Sequence, residues 1–549
     1  MKIDKIDLIV RAALRGCPNA CAIIGKTGDH TGSPVQIKSI VSHLLTLGIA
    51  ILVSLVLIFV SSSAAFESRP SAPVYITLWF DTEDYVSPEP DQAILRICRI
   101  LEKHGVKATF KLIAEKARDL ERKKQFDVIE ALKKHDIGFH TQTHSQPPHI
   151  PQYLDAAGWE AGIEQFDVRE RGGVQELKRI FKTAPLCYGQ PGNSWAPQTY
   201  PVLLRWGIPL YLDEGDHAGI NNQPFWYGGI LNVYKMGPNL TRMNLDSGEP
   251  GLAEATRNFD AIYNRLSNQG GGLVSIYYHP NEWVDVEFWD AVNFSYGANP
   301  ARERWVAPRK KTAEASEQSF RLFDLYVGYM KAKPQVKFVG AREILDLYPD
   351  SAREALFTRS AIESLAKQMR SEITFQKTDN GYLSSSEIFS LLLEAYLNPE
   401  ARSVALPSYT LFGPAEKLAG NAGGPVSRYG FDKGARELRA IVNRLHRLPN
   451  LVWLGSSSVS PVDFLATLAK QIGNPADPVS IMRGNLTASR YIADDSPQLF
   501  SWVILPEGFH APRVMELAKL QAWTLKPAVL AGKAPVGSRR EAGSRRQWQ

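Results

Sequence analysis

The chain has 549 residues, 44% of them apolar, and a net charge of +6. This length allows about two or three domains of ordinary size, and the composition excludes a disordered protein. Part of the positive charge lies in residues 531–549, where arginines stand among Gly, Ser and Ala, and we expect a disordered basic tail there. The sequence lacks the clustered basic and aromatic residues of a nucleic-acid-binding protein, so we expect no nucleic-acid partner.

The first feature along the chain is an uncharged apolar run, Leu44–Val60, that follows Lys38 and other basic residues. The surrounding segment, 39–66, suits the core of a signal peptide or a membrane span. The positive-inside rule places residues 1–38 in the cytoplasm and the chain after Glu67 outside. We therefore expect an exported protein, periplasmic or extracellular, which either stays anchored in the membrane or is secreted after cleavage.

Strand-like and helical patterns alternate over residues 73–348. Val74–Phe80 is predicted as a strand, and Asp91–His104 carries apolar residues at helical spacing. Leu273–Tyr278 is predicted as a second buried strand. Repeated alternation of short apolar strands with helices predicts an α/β barrel or a doubly wound sheet.

Helical patterns dominate after this domain and predict a mainly helical C-terminal domain, 350–530, of unknown role. Two stretches in it, Tyr382–Phe389 and Ser458–Leu465, share a pattern in which a small polar residue and an acid open an amphipathic helix. The pattern fits an internal duplication and two ordinary helix starts equally well.

Acidic and imidazole side chains follow three of the predicted strands. They are Asp81, Glu83 and Asp84 after the first strand, His140 and His144 after Ile137–Phe139, and His279 after Leu273–Tyr278. Active sites of α/β barrels lie at the carboxyl ends of the strands. Two imidazoles with a carboxylate suit a divalent metal, and a further acid and histidine can transfer protons. Singly, each group is also explained as a helix N-cap or a packed core residue.

The order of these groups resembles that of the polysaccharide deacetylases with a NodB-homology domain, carbohydrate esterase family four. The resemblance extends from Tyr75 to about Leu347. Within it, Gly105–Phe110 is similar to the family's second strand and Asp136–His144 to its second motif. It implies a distorted (β/α) barrel that holds a divalent metal, often zinc. It also implies a hydrolase that removes N- or O-linked acetyl groups from a polysaccharide or cell-wall glycan.

The resemblance further implies a role for each candidate: Asp81 is the general base, His279 the general acid, and His140 and His144 are metal ligands together with Glu83 or Asp84. The family usually has two adjacent aspartates at the first motif. Here the acids are spaced differently, and the spacing does not choose the third ligand.

A second departure concerns the third motif, which in the family usually begins with an arginine that orients the base. Here Gly189 stands at that place, within Cys187–Trp195. Either another group orients Asp81, or the activity is reduced or redirected. Asp213 is a candidate for tuning His279, or it is a plain loop acid. The alternative function is therefore a weakened or inactive barrel that serves as a glycan-binding or wall-anchoring module.

Overall fold

The computed structural model describes residues 72–369, 371–421, 424–472 and 474–532. The predicted cytoplasmic and export segments, 1–38 and 39–66, and nearly all of the basic tail lie outside the described residues. Among the described helices, none has both the length and the apolar character needed to cross a membrane.

The first region, residues 72–348, is built on one curled sheet. Its strands are β1 (Val74–Thr82), β2 (Thr109–Leu112), β3 (Asp136–Phe139), β4 (Cys187–Tyr188), β5 (Leu210–Leu212), β6 (Phe225–Tyr227), β7 (Ile230–Val233), β8 (Gly272–Tyr278) and β9 (Val336–Val339). They pair in the order β6-β7-β5-β4-β3-β2-β1-β8, and β9 pairs with β1 beside β2. All of these pairs are parallel except the β6–β7 hairpin.

Helices connect the strands. They are α1 (Glu89–Lys103), α2 (Ala114–Arg122), α3 (Phe126–Leu132), α4 (Ile150–Asp155), α5 (Trp159–Phe181), α6 (Thr199–Trp206), α7 (Gly248–Asn268), α8 (Trp289–Asn293), α9 (Ala313–Lys331) and α10 (Ala341–Leu347). At the far edge Leu240, which follows β7, makes a parallel bridge with Ser275 of β8, so the sheet curls back on itself. The predicted distorted (β/α) barrel is confirmed.

The strand β1 shows how the sheet divides the core. Ile76, Leu78 and Phe80 belong to the apolar cluster between the sheet and its helices, whereas Trp79 belongs to the smaller cluster inside the barrel. Because side chains alternate along a strand, Asp81 lies on the same face as Trp79. A carboxylate is thus held at the carboxyl end of the barrel interior.

The second region follows residue 348. Its helices are α11 (Arg359–Gln368), α12 (Ser385–Leu397), α13 (Arg428–Leu445), α14 (Pro461–Gln471) and α15 (Pro512–Leu520). Its strands are β10 (Leu356–Thr358), β11 (Glu372–Ile373), β12 (Gln376–Thr378), β13 (Gly381–Leu383), β14 (Ser403–Ala405), β15 (Val452–Leu454), β16 (Ser457–Val459), β17 (Asn485–Leu486) and β18 (Lys526–Pro527). The region therefore combines helices with short hairpins.

One succession of elements occurs twice in this region. In the first copy, a helix (α11), a hairpin (β12–β13) and a second helix (α12) lie between the antiparallel partners β10 and β14. In the second copy, α13, the hairpin β15–β16 and α14 lie between Val426 and Val479, which form an antiparallel bridge. Ser384 and Ser460 cap the second helix of each copy through their hydroxyl groups. The two similar sequence stretches therefore occupy equivalent places in a repeated unit.

The end of the second region returns to the first. Strand β18 pairs antiparallel with β6 and extends the sheet. The hydroxyl of Tyr227 donates to the carbonyl oxygen of Ala518 at 3.0 Å. Residues from Ala488 to Leu525 also contribute to the helix-facing core of the barrel. The C-terminal part of the second region thus joins the barrel core, while residues from Ala352 to Val479 form an apolar cluster of their own.

Candidate metal-binding and catalytic site

Three of the predicted side chains converge at the carboxyl end of the barrel. The Oε2 atom of Glu83 lies 2.9 Å from Nε2 of His144 and 3.3 Å from Nε2 of His140. All three residues are buried, and no hydrogen-bond donor is aligned with this Oε2 atom. Two imidazole nitrogens and one carboxylate oxygen are a common ligand set for zinc with an open coordination position. These residues therefore fit a divalent metal.

Hydrogen bonds fix both imidazoles in this orientation. The Nδ1 atom of His140 lies 3.0 Å from the carbonyl oxygen of Gly189, to which it donates, and Nδ1 of His144 lies 2.6 Å from the hydroxyl oxygen of Ser145. Each contact leaves Nε2 turned towards Glu83, as in metal sites where an outer partner sets the tautomer. Burial lowers the pKa of His140, which favours the neutral imidazole that binds metals.

The loop that carries the histidines is tightly bent. Thr141 has φ of 73° and His144 has φ of 62°, in the left-handed region that glycine prefers. Such a conformation costs about 1–3 kcal/mol at a residue with a side chain, and it is common at functional sites. The bend brings two imidazoles four residues apart onto one side of the loop.

Of the two acids between which the sequence could not choose, Glu83 faces the histidines. Its Oε1 atom accepts a hydrogen bond from Nε1 of Trp289 at 3.2 Å. Asp84 is turned away, and its Oδ1 atom accepts from the backbone N–H groups of Val86 at 2.8 Å and Ser87 at 3.1 Å. Asp84 thus stabilises the turn after β1, while Glu83 is in place to bind a cation.

The two predicted proton carriers lie beside these three residues. Asp81 has one carboxylate oxygen 3.7 Å from Nδ1 of His140 and the other 3.7 Å from Nε2 of His279. Asp81 is buried at the end of β1, and His279 directly follows β8. A carboxylate and an imidazole thus lie next to each other, beside the three candidate metal ligands.

Glu282 orients His279. Its Oε1 atom lies 2.8 Å from Nδ1 of His279, and its other oxygen is paired with Arg242. Burial alone would lower the pKa of His279, but the hydrogen bond with Glu282 and the charge of Glu83 raise it to about 9. Glu282 and Glu83 thus favour the protonated imidazole, the form that a general acid requires. The residue that tunes His279 is Glu282, three positions along the chain, and not Asp213.

Comparison with known proteins finds no family model and no curated protein that matches the chain. Among solved structures, a protein provisionally named a polysaccharide deacetylase from Mycobacterium smegmatis is 14% identical, with a TM-score of 0.33 over 51% of this chain and 91% of its own. Puue allantoinase is 14% identical, with a TM-score of 0.34 over 51% and 93%. The family 4 carbohydrate esterase from Streptomyces lividans is 14% identical, with a TM-score of 0.26 over 47% and 91%.

A buried lysine that the sequence motifs do not single out completes the charges of the site. The Nζ atom of Lys111 lies 2.9 Å from Oδ1 of Asp81 and 2.5 Å from Oδ2 of Asp213. It also lies 4.1 Å from the centre of a ring of Trp79. The available signal was a charged residue inside the short apolar strand Thr109–Leu112. Asp213 thus belongs to the surroundings of Asp81.

The site opens into a cavity of about 320 Å³ that has aromatic walls. The aromatic lining residues are Trp79, Tyr277, Phe288 and Trp502. Trp502 comes from the second region, and its Nε1 atom donates to Oδ2 of Asp290 at 2.8 Å. Its ring packs edge-on against Phe288, with 5.7 Å between the ring centres. The second region thus supplies part of the wall, which the sequence did not indicate.

Proposed function

We propose that the protein is a divergent member of carbohydrate esterase family four. In this proposal it is a metal-dependent hydrolase that removes N- or O-linked acetyl groups from a polysaccharide or cell-wall glycan. The observation that carries the proposal is the convergence of Glu83, His140 and His144 beside Asp81 and His279. From the apolar segment 39–66 we further propose that it acts outside the cytoplasm, anchored in the membrane or secreted.

The metal, in this proposal zinc, would be held by Glu83, His140 and His144. When bound, such an ion polarises a carbonyl group and lowers the pKa of a water molecule. Asp81 accepts the proton of the attacking water, and His279 donates a proton to the departing amine or alkoxide as the bond to the acetyl carbon breaks. One proton is thus taken up and one is released.

The cavity walls suit a sugar substrate. Flat aromatic surfaces bind the apolar faces of pyranose rings by packing, and the cavity offers several such surfaces beside polar groups. Tyr277 and Trp502 are only partly buried, so their rings are accessible from the cavity. This arrangement suits a glycan as substrate better than a wholly apolar ester.

The alternative, a non-catalytic glycan-binding barrel, was suggested by Gly189 at the place of the family's arginine. Lys111 gives Asp81 a cationic partner at 2.9 Å. The charge environment that a general base needs is therefore present. This contact favours the enzyme over the binding module.

Acetate release from acetylated chito-oligosaccharides, acetylated xylan and peptidoglycan tests the proposal. We expect the wild type to release acetate from at least one of them, and Asp81→Asn to lower the rate by about 10²–10⁴-fold, the usual contribution of a general base. Chelation should abolish the activity, and added zinc should restore it. Acetate release that survives both Asp81→Asn and chelation contradicts the mechanism. A metal-free protein that binds glycan without hydrolysis supports the binding module.

A further inference from the structure

We propose that Lys111 is the positioning residue of Asp81, and that Gly189 lacks a side chain because the ammonium group of Lys111 occupies the space beside it. This inference rests on the proposed function, since it assigns a role beside the proposed base. In this chain the cation beside Asp81 thus comes from strand β2 and not from the third motif.

Strand register places the two residues together. Asp81 and Lys111 are directly paired across β1 and β2, and Lys111 is in turn paired with Gly138 on β3. Lys111 has no exposed surface, and its Nζ atom bridges the carboxylates of Asp81 and Asp213. An ammonium group held by two carboxylates and an aromatic ring has little freedom to move. It therefore fixes the direction of the Asp81 carboxylate.

Two glycines make room for this lysine. A Cβ atom at Gly138 would lie 2.5 Å from Sγ of Cys187 and 2.8 Å from Cγ of Lys111. A Cβ atom at Gly189 would lie 2.1 Å from Nζ of Lys111, 2.2 Å from Oδ2 of Asp213 and 2.9 Å from the backbone oxygen of Leu212. These distances are far below the roughly 3.5–4.0 Å of a favourable non-bonded contact. A side chain at 189 and the ammonium group of Lys111 therefore exclude each other, which links the missing arginine to the lysine.

The same lysine balances the charges beside the base. Burial and the neighbouring Asp81 raise the pKa of Asp213 to about 7, while Lys111 opposes this rise. Without the ammonium group, the buried carboxylates of Asp81 and Asp213 would lose the cation that lies between them. Because Lys111 has no exposed surface, it acts on substrate only through its neighbours Asp81, Asp213 and Trp79, which line the cavity.

The test uses Lys111→Met in the full-length protein, with a substrate that the wild type hydrolyses. We expect kcat to fall about 10²-fold, within the range that loss of a general base allows. KM should change less than about threefold and the metal content should stay the same, since Lys111 does not itself line the cavity and its ion pairs are with Asp81 and Asp213, not with the proposed ligands. The control is Lys526→Met, because Lys526 is also buried between two carboxylates, Asp350 and Glu387, but far from the site along the chain. It should keep the wild-type kcat.

Gly189→Ala provides a second variant that keeps the lysine. Its methyl group should displace the ammonium group and lower kcat strongly in the wild type, but less in a Lys111→Ala background, where the space of the ammonium group is free and the contact with the Leu212 carbonyl oxygen is unchanged. Such non-additivity is expected only if the two residues share the same space. Strictly additive losses would overturn the link between Lys111 and Gly189.

Two further outcomes separate this inference from the proposed function. If the wild type is active and Lys111→Met has the same kcat, the positioning role alone is overturned. The same holds if the Lys111→Met variant loses its metal together with its activity. A wild type that releases no acetate from any substrate overturns the proposed function itself.

Discussion

Each of the two regions contains a buried lysine held between two carboxylates. In the first region, Lys111 lies 2.9 Å and 2.5 Å from its two partners. In the second region, Lys526 lies 2.8 Å from Asp350 and 2.7 Å from Glu387. Considered alone, the two ion groups have the same composition, a buried ammonium group between two carboxylates. A buried ion pair is therefore weak evidence for function by itself.

The neighbours of the two lysines differ. The carboxylates around Lys111 border two converging imidazoles and His279, beside a cavity. Lys526 lies on β18, where the end of the second region joins the sheet of the barrel. Near it, Arg353 forms another ion pair with Glu387. The comparison shows that buried polar atoms which converge without a hydrogen-bond partner indicate a functional site. Charges that are fully paired instead hold parts of the fold together.

The variant with the largest expected effect changes Glu83, whose carboxylate converges with the two histidines. Glu83→Gln should lose the metal and lower kcat/KM by roughly 10³-fold or more, because metal catalysis supplies several kcal/mol of transition-state stabilisation. The measurements are metal content and acetate release. Asp84→Asn is the matched control, since its carboxylate caps the turn. Metal that is retained in Glu83→Gln and lost in Asp84→Asn would show that the wrong acid was assigned.

Much of this site was predictable because parallel strands end at the same edge of a sheet. Three apolar strands followed by Asp81, His140 and His279 place those side chains near one another whatever the details of the loops. The alternation of strands and helices was equally visible, since the apolar spacing changes between them. The positions of the main groups therefore followed from local patterns.

The remaining features depend on side-chain direction and on contacts between distant residues. Glu83 and Asp84 are neighbours, and only the backbone of the turn decides which one faces the histidines. Lys111 and Asp213 are separated by 102 positions, and Trp502 and Asp290 by 212, so no local pattern joins them. The return of the chain to the sheet at β18 was hidden for the same reason, because a strand of two residues has no periodicity.

The second prediction concerns stability in the second region. Lys526→Met should lower the free energy of unfolding by about 3–5 kcal/mol, because Glu387 is buried and Asp350 half-buried, and only Arg353, 4.0 Å from Glu387, remains as a cation. The kcat of the folded protein should not change. Urea unfolding measures the first quantity and acetate release the second.

A matched surface variant calibrates this measurement. Lys134→Met breaks an exposed ion pair with Glu102, at 2.8 Å, and should cost less than about 1 kcal/mol. Equal losses for the two variants would mean that the ion group around Lys526 does not stabilise the fold. A lower kcat in Lys526→Met would contradict the proposal that Lys526, unlike Lys111, serves stability only.

The third prediction concerns the pH dependence of kcat, which the first region determines through His279. Glu282→Gln removes the hydrogen bond and the negative charge that raise the pKa of His279, while Asp81 and Glu83 still face it. Because burial then dominates, the pKa of His279 should fall, by about one to three units for the loss of such a neighbour. His279 must be protonated to donate, so the alkaline limb of the kcat profile should move to lower pH. An unmoved limb would remove His279 from the role of general acid.

The smallest expected effect tests whether the second region contributes to the site at all. Trp502→Ala should raise KM for an acetylated oligosaccharide roughly three- to tenfold, the scale of one aromatic packing contact, and should leave kcat nearly unchanged. Trp453→Ala is the control, since Trp453 is 55% exposed on the hairpin of the second repeat. If both variants keep the wild-type KM, substrate binding belongs to the barrel alone. If only Trp502→Ala raises KM, the second region binds substrate although it supplies no proposed catalytic group.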